Sequence, residues 1–323
     1  MDHLSSKKTK PAKDRSKAAR KEATPRKTAG AGKKVGLKPV QGWHKRNFVT
    51  EVLIPSLFTR RSGEPTAPLF PTLGEAQIGL TWIGHASFLV QSQGTNLLVD
   101  PNWAKWLKVI KRIRKPGLEI NDLPSIDIVL VTHAHFDHLD RRTLRKVAEG
   151  QPIIVPFEVG NLVQGLGFHS VHELDYWNQF SSGPVRITLT PCHHWGARML
   201  HDSHRGFGGY IIEMNGRTIY HCGDTAYFDG FKEIGKRFAI DIALLPIGAY
   251  DPPSGRDVHM NPEEALQAFQ DLGAKQMVPM HYGSFRLSFE PPDEPLERLL
   301  AAAKKRGIEN CISVMIEGQP LVF

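Results

Sequence analysis

The stretch THAHFDH, Thr132–His138, directly follows the apolar run IDIVLV at 126–131. The run predicts a buried strand, so the heptapeptide begins where that strand ends. It supplies four potential metal ligands: His133, His135, Asp137 and His138. On a loop after a strand, the first two histidines can turn to one side while the other two ligands are offset, which suits two neighbouring metal ions better than one. Imidazole and carboxylate donors favour zinc over calcium, which takes a shell of oxygen atoms.

One loop cannot complete two metal sites, so further ligands are expected at the ends of later strands. Three short motifs follow apolar runs in this way: TPCHHW at 190–195, HCGDT at 221–225 and PMHYGSF at 279–285. They offer His193 or His194, then Asp224, then His281. A fold that aligns these strands would bring all three motifs to one rim of its sheets.

Short apolar runs separated by turns continue through the chain from residue 78 and predict strands. They lie at 78–84, 87–91, 95–100, 126–132, 185–190, 209–214, 217–222, 240–246 and 311–317. Asn215-Gly216 separates two of them and favours a two-residue hairpin turn. Helices are predicted at 140–149, at 294–306 and after Asn261, which can act as an N-cap before Pro262, with Gly273 beyond the helix end.

The segment NWAKWLKVIKRIRK, 102–115, differs from both patterns. Its large apolar residues follow helical spacing, and basic residues occupy much of the rest, so it predicts a short basic amphipathic helix. Such a helix could contact a membrane surface or a lipid substrate, or its tryptophans could simply pack on the domain. The side chains expected to make the contact are Trp103, Trp106, Leu107 and Ile110.

Charge divides the 323-residue chain into two parts. Residues 1–47 hold 15 Lys or Arg and three acids, a net of +12, whereas 48–323 hold 26 basic and 30 acidic residues, a net of −4. The first part has few large apolar residues, which predicts a disordered tail. This tail could remain solvated or contact anionic lipid or nucleic acid. The second part is predicted to be one folded domain.

Three cysteines cannot form a disulfide framework, and their odd number suggests reduced thiols. No apolar run is long enough to span a bilayer, and the basic N-terminus lacks the apolar region of a signal peptide. These features predict a cytoplasmic protein that could contact a membrane peripherally.

The series THAHFDH, HHW, GDT and MHYGSF resembles the metallo-β-lactamase superfamily. Three further motifs, EIGKRF at 233–238, PIGAYDP at 246–252 and HMNPEEA at 259–265, resemble the branch of N-acylphosphatidylethanolamine-hydrolysing phospholipases D. The resemblance covers about residues 78–290. It implies an α/β fold, specifically a four-layer αββα sandwich with a dinuclear zinc site at one edge.

The resemblance also implies a role for each ligand. One zinc ion would be held by His133, His135 and His194, the other by Asp137, His138 and His281, with Asp224 bridging both. His259 matches a histidine near the substrate phosphate, so Asp137 and His259 are the expected catalytic residues. Phe136 stands where the branch often has tyrosine, next to the expected position of the headgroup.

Two polar residues outside these motifs are candidates for the surroundings of the metal site. Asp100 in LLVDP is expected to orient a ligand histidine through its ring N–H. His85 in WIGHAS could lie beside the ligands or serve only as a turn residue, and the sequence leaves both open.

The expected reaction is hydrolysis of an N-acylphosphatidylethanolamine-like lipid to phosphatidic acid and an N-acylethanolamine. A soluble hydrolase of a small lactone or phosphorylated metabolite is the alternative within the same fold. A nucleic-acid-binding protein that acts through its basic tail is the alternative of another class, and the complete ligand set argues against it.

Overall fold

The computed structural model describes residues 46–199 and 202–323, and two β-sheets form its centre. The predicted tail, 1–47, lies outside the described residues except for its last two positions. The strands are β1 (Gly79–Gly84), β2 (Ser87–Ser92), β3 (Thr95–Val99), β4 (Trp106–Leu107), β5 (Ile110–Lys111), β6 (Ile128–Leu130), β7 (Pro152–Pro156), β8 (Ser170–Leu174), β9 (Gln179–Ser182), β10 (Val185–Thr190), β11 (Gly209–Met214), β12 (Arg217–His221), β13 (Ile242–Pro246), β14 (Gln276–Met280) and β15 (Pro320–Val322).

Each large sheet combines antiparallel and parallel pairs. The first has the order β15-β1-β2-β3-β6-β7-β8 and is antiparallel from β15 to β3 and parallel from β3 to β8. The second has the order β14-β13-β12-β11-β10-β9 and is parallel only between β12 and β14. The expected hairpin turn at Asn215-Gly216 connects β11 to β12, with positive φ at both residues.

Most of the helices cover the outer faces of the two large sheets, whereas the first lies against the β4–β5 hairpin. They are α1 (Ile54–Phe58), α2 (Arg141–Val147), α3 (Gly160–Val163), α4 (Gly230–Arg237), α5 (Pro262–Leu272) and α6 (Glu294–Arg306). The predicted ends of α5 are confirmed, because Asn261 and Glu264 form a reciprocal capping box and Gly273 adopts the left-handed conformation. Gly307 ends α6 in the same way.

The buried side chains pack in three places: between the two sheets, and between each sheet and the helices outside it. Residues such as Phe88 and Ile187 fill the space between the sheets. The opposite face of the first sheet packs on α2 and α3 through side chains such as Val129 and Leu144. On the other side, α5 packs on β13 and lies between α4 and α6. The expected αββα sandwich of the α/β class is therefore confirmed.

Two predicted elements are wrong. Residues 102–115 form no helix; they contain the two-stranded hairpin β4–β5, in which Lys108 adopts a left-handed φ of 54°. The apolar run 311–317 forms no strand, only a single bridge between Ile312 and Met277. Within the described ranges, no helix is both long and apolar enough to cross a membrane.

Candidate metal centre

The loop Thr132–His138 is anchored by a buried carboxylate at the end of β3. Asp100 accepts hydrogen bonds from the Thr132 amide and hydroxyl, both at 2.7 Å. The loop follows β6, while the other candidate ligands follow β10, β12 and β14. The ends of four strands from both sheets therefore supply the side chains of one site.

The candidate ligands form three overlapping clusters, in each of which the donor atoms lie within 4.8 Å of one another. The clusters are His133, His135, His194 and Asp224; His85, Asp137, His138 and His281; and Asp224, His259 and His281. Asp224 Oδ2 lies 3.2 Å from His138 Nε2 and 3.8 Å from His133 Nε2. This carboxylate thus stands between the first two clusters, where a bridging ligand would lie.

The structure brings together all seven residues that the sequence nominated as ligands. It also separates the two adjacent candidates after β10. His194 joins the first cluster, whereas the side chain of His193 is exposed and its amide donates to Thr225. Of the pair, His194 is therefore the candidate ligand.

His85 belongs to the site, although its sequence context left its role open. It lies in the turn after β1 with a left-handed φ of 58°, and its amide donates to Ser284. Its Nε2 is 3.0 Å from Asp137 Oδ2. A positive φ at a non-glycine residue often marks a functional constraint, but a lone histidine has no spacing pattern that would have revealed it.

Burial and the two carboxylates set the charge of the cluster. Burial lowers the pKa of His133 and His194 well below the usual value, which keeps both rings neutral. Burial opposes ionisation of Asp224, yet the nearby His138 and His281 hold the pKa of this carboxyl well below its usual range. Although burial favours their neutral forms, Asp224 raises the pKa of His138 well above its usual value and that of His281 to about 9. A metal ion, which binds neutral imidazoles and ionised carboxylates, would displace the protons from these two rings.

Several buried donor atoms in the site have no hydrogen-bond partner among the described residues. They are His135 Nε2, His138 Nε2, His281 Nε2 and Asp224 Oδ1. Unpartnered polar atoms are costly in a protein interior, and metal ions bound at the two clusters would satisfy these four atoms. The donor set, mostly imidazole with two carboxylates, fits zinc or a similar transition metal.

Hydrogen bonds from outside the cluster orient its ligands. His138 Nδ1 lies 2.7 Å from Asp100 Oδ2, which is the arrangement that the sequence predicted for this aspartate. The amide of Asn102 donates to the backbone carbonyls of Phe136 at 3.1 Å and Asp137 at 2.7 Å. Asn102 is itself held by the guanidinium of Arg112, which donates to its backbone carbonyl at 2.8 Å. Such contacts fix the direction of metal ligands.

Phe136 lies against two cations beside the metal loop. The Arg198 guanidinium carbon is 3.9 Å from the ring centroid, and Lys108 Nζ is 4.3 Å from it. Arg198 also donates to the carbonyls of Ala134 and Leu139, both at 2.7 Å. Arg198 thus holds the metal loop through its backbone carbonyls, and the β4–β5 hairpin contacts the loop through Lys108.

The four residues predicted to contact substrate or membrane occupy different positions. Trp103 donates its indole N–H to the Leu118 carbonyl, and Leu107 is buried. Ile110 is half-buried, and only Trp106 is an exposed large side chain. Trp103 therefore packs on the domain, as one of the two alternatives expected. Contact with a membrane or a lipid substrate remains open for Trp106.

His259 lies in contact with the ligands, directly before the capped helix α5. Its ring centroid is 5.2 Å from that of His194 and 5.3 Å from that of His281. Burial lowers the pKa of His259 to about 4, and its Nδ1 has no partner within the described residues. The ring is therefore a neutral group with a free polar atom at the metal site.

Known proteins match the chain over most of its length. It is 33% identical to an uncharacterised protein of Mycobacterium tuberculosis over 289 residues, which covers 83% of this chain and 77% of that protein. It is 32% identical over 253 residues to N-acyl-phosphatidylethanolamine-hydrolyzing phospholipase D 1 of Caenorhabditis elegans, covering 71% of each. A UPF0173 metal-dependent hydrolase of Rubrobacter xylanophilus is 33% identical over 248 residues, 75% of this chain and 95% of the relative.

The fold is also similar to that of solved metallohydrolases. Igni18, a metallo hydrolase of Ignicoccus hospitalis, superposes with a TM-score of 0.59 at 27% identity, covering 77% of this chain and 99% of the other. The model of the beta-lactamase superfamily domain matches residues 95–282, a range that includes every candidate ligand except His85. With this match, the ligand clusters and the αββα sandwich, the chain belongs to the metallo-β-lactamase superfamily of metal-dependent hydrolases.

Proposed function

We propose that this chain is a dinuclear zinc phosphodiesterase of the phospholipase D type. It would hydrolyse N-acylphosphatidylethanolamine-like lipids to phosphatidic acid and N-acylethanolamines. The observation that carries the proposal is the position of Asp224 between two clusters of ligands. Two-metal sites that share a carboxylate are suited to displacement at phosphorus, where both the attacking and leaving oxygens require stabilisation.

The relatives support this substrate class. The Caenorhabditis elegans relative is described as a phospholipase D that hydrolyses N-acyl-phosphatidylethanolamine, and the identity extends over 71% of both chains. The cations beside the site support an anionic substrate independently. Neither Lys108 nor Arg198 forms an ion pair within residues 46–199 and 202–323, although both lie against Phe136 next to the ligands. Cations without an ion-pair partner beside the metal loop favour a phosphate over a neutral lactone.

Each residue of the site would have a separate role in hydrolysis. The seven ligands would hold zinc, which would supply positive charge for the transition state and favour ionisation of the attacking water. Asp137, fixed by His85 and by the backbone contacts from Asn102, would orient that water. His259 would hydrogen-bond to a non-bridging oxygen or to the leaving alkoxide, because its free nitrogen faces no protein partner among the described residues. Phosphatidic acid retains the new oxygen, and the N-acylethanolamine leaves as the alcohol.

Turnover of mixed N-acylated lipids in water enriched in oxygen-18 tests both the substrate and the bond that breaks. Attack at phosphorus places the label in phosphatidic acid, whereas attack at carbon places it in the alcohol product. The Asp224→Ala variant, prepared in parallel, should show no labelled product and so exclude a contaminating lipase. Label in the N-acylethanolamine, or no turnover of any lipid diester, would contradict the proposal.

A second candidate is a hydrolase of small soluble substrates. It is favoured by the relative from Rubrobacter xylanophilus, since 95% of that protein matches this chain and its description specifies only a metal-dependent hydrolase. A lactone or phosphorylated metabolite would then be cleaved in the absence of detergent or lipid. Activity that depends on lipid micelles supports the phospholipase, and activity on water-soluble esters alone supports this second candidate.

A further inference from the structure

We propose that an exposed surface beside the metal centre docks this chain onto an anionic lipid bilayer. The surface, called here the hairpin face, consists of α1 (Ile54–Phe58) and the β4–β5 hairpin (Trp106–Lys111). Unlike the helix predicted from the sequence, it combines two segments that lie about 50 residues apart in the chain. The inference concerns binding and holds whichever substrate the metal centre cleaves.

The hairpin face exposes several large apolar side chains. Phe58 is 85% exposed and Val109, at the tip of the hairpin, is 64% exposed. Ile54, Leu57 and Trp106 are also exposed. Soluble domains seldom expose apolar residues in such a group unless the surface binds something. Tryptophan and aliphatic residues next to basic residues are typical of elements that lie in the membrane interface.

The charges around these apolar residues are predominantly positive. The segments 52–63 and 102–115 together contain eight Lys or Arg residues and no Asp or Glu. Within residues 46–199 and 202–323, Lys105 and Lys108 form no ion pair, and both are exposed. The acids that flank the first segment, Glu51 and Glu64, are paired with Arg46 and Lys115. The surface therefore carries an excess of exposed positive charge, which is complementary to the anionic headgroups of a bilayer.

Hydrogen bonds connect the two segments, so the exposed residues belong to one surface. Lys111 Nζ donates to the carbonyls of Leu57 at 2.9 Å and Thr59 at 2.8 Å, at the end of α1. Lys111 is paired across the hairpin with Trp106. Arg61 adds a donor to the Lys105 carbonyl at 3.2 Å. The apolar side chains of α1 are therefore held next to those of the hairpin.

The hairpin face also borders the metal centre. Lys108 contacts the ring of Phe136 within the metal loop and lies 3.7 Å from Met199 Sδ. Met199 is exposed, as is Trp195, whose ring centroid lies 4.6 Å from that of His135. Exposed apolar residues thus continue from the hairpin face to the rim of the site. A bilayer in contact with this face would lie next to the ligand clusters.

Co-sedimentation of the full-length chain with phosphatidylcholine vesicles, with and without phosphatidylserine, measures the proposed binding. We expect stronger binding to the anionic vesicles. Trp106→Ser combined with Val109→Ser should lower the partition coefficient on the order of tenfold, because two apolar side chains no longer enter the interface. Lys105→Gln combined with Lys108→Gln should lower it roughly fivefold for each charge.

Matched variants on another surface control for general effects. Ile316→Ser removes an equally exposed apolar residue, and Lys304→Gln with Lys305→Gln removes two exposed charges from α6. Neither should change vesicle binding by more than a small factor. The basic residues of 1–47 also attract anionic vesicles, but salt screens that attraction, so the apolar variant is compared with wild type at high salt.

The results separate binding from catalysis. Unchanged vesicle binding by the Trp106/Val109 variant at high salt overturns the proposal, and so does an equal loss in the control variants. If the same variant instead abolishes self-association of the protein, the hairpin face is a contact between two copies and the bilayer proposal fails. Because no step of this experiment requires turnover, its failure leaves the phosphodiesterase proposal to its own test.

Discussion

His259 is the residue whose position most clearly separates metal binding from catalysis. We expect His259→Ala to retain both metal ions and to lose turnover by roughly 10²–10⁴-fold, because a positioned hydrogen-bonding group acts on the reacting oxygens. Elemental analysis and steady-state rates on the same preparation measure both effects. His193→Ala is the matched control, since this exposed neighbour of His194 should change neither. Loss of metal from His259→Ala would instead make His259 a ligand, as its cluster with Asp224 and His281 would permit.

Asn102 supports the metal loop through its backbone. Asn102→Ala removes the donor from two carbonyls, and the buried Arg112 beside it loses a weak contact with the Asn102 side chain at 3.4 Å. We expect a loss of metal affinity on the order of 10–100-fold, the usual cost of removing support from outside the ligand shell. Metal titration against a chelating indicator measures this directly. Unchanged affinity with reduced thermal stability would mean that Asn102 has only a structural role.

The ligands could be predicted from the sequence because they follow strands at recognisable motifs. The residues that support the metal loop, Asn102 and Arg112, could not be predicted in the same way, and neither could the role of His85. Asn102 and Arg112 lie in a segment whose spacing suggested a helix, and their contact with the metal loop depends on how distant segments pack. Burial lowers the pKa of Arg112 to about 9, and nothing in its sequence neighbourhood indicates that this cation is buried.

At the scale of elements, the ends of helix α5 depend on residues close in sequence, whereas the structure of the run 311–317 depends on contacts with distant strands. Asn261, Glu264 and Gly273 define α5 because each acts on its own backbone neighbours. The run 311–317 fails as a strand because Ser313 bonds to Met277 of the second sheet and Gly318 to Trp82 of the first. A segment that passes from one sheet to the other cannot remain in register with either.

The capping box of α5 provides a test of this local encoding. Asn261→Ala removes the acceptor for the Glu264 amide, so we expect a loss of about 1 kcal/mol in the free energy of unfolding. Denaturant titration monitored by circular dichroism gives the value. Asn310→Ala, at an exposed position in a surface turn, serves as the control and should have little effect. Equal stability of both variants would mean that tertiary packing alone fixes the start of α5.

For the whole molecule, we expect metal binding to be coupled to folding. The ligands come from both sheets, and without a cation their unpartnered donor atoms remain buried. An ion that binds only the folded chain stabilises it by about 2.7 kcal/mol at 100 times its dissociation constant. Chelation should therefore lower Tm by several degrees, and zinc should restore it, as scanning calorimetry can measure.

The Asp224→Ala variant is the control for this thermal shift. Without the carboxylate shared by the two clusters, its Tm should respond far less to chelator than that of the wild-type protein. A wild-type Tm that is insensitive to chelator, in a preparation shown to contain metal, would contradict the coupling of metal binding to folding.

The pairing of β15 with β1 affects how the chain folds during synthesis and how it responds to proteolysis. Pro320–Val322 pairs with residues that lie 239 to 243 positions earlier, and Ile78 and Phe323 exchange backbone hydrogen bonds beyond this pairing. During translation, β1 therefore cannot pair with β15 until almost all of this sequence has been synthesised. Proteolytic trimming after Gln319 would spare every metal ligand yet expose the buried strand β1 as an open edge. Since open edges template aggregation, such a trimmed molecule would be lost through insolubility while its metal centre was still intact.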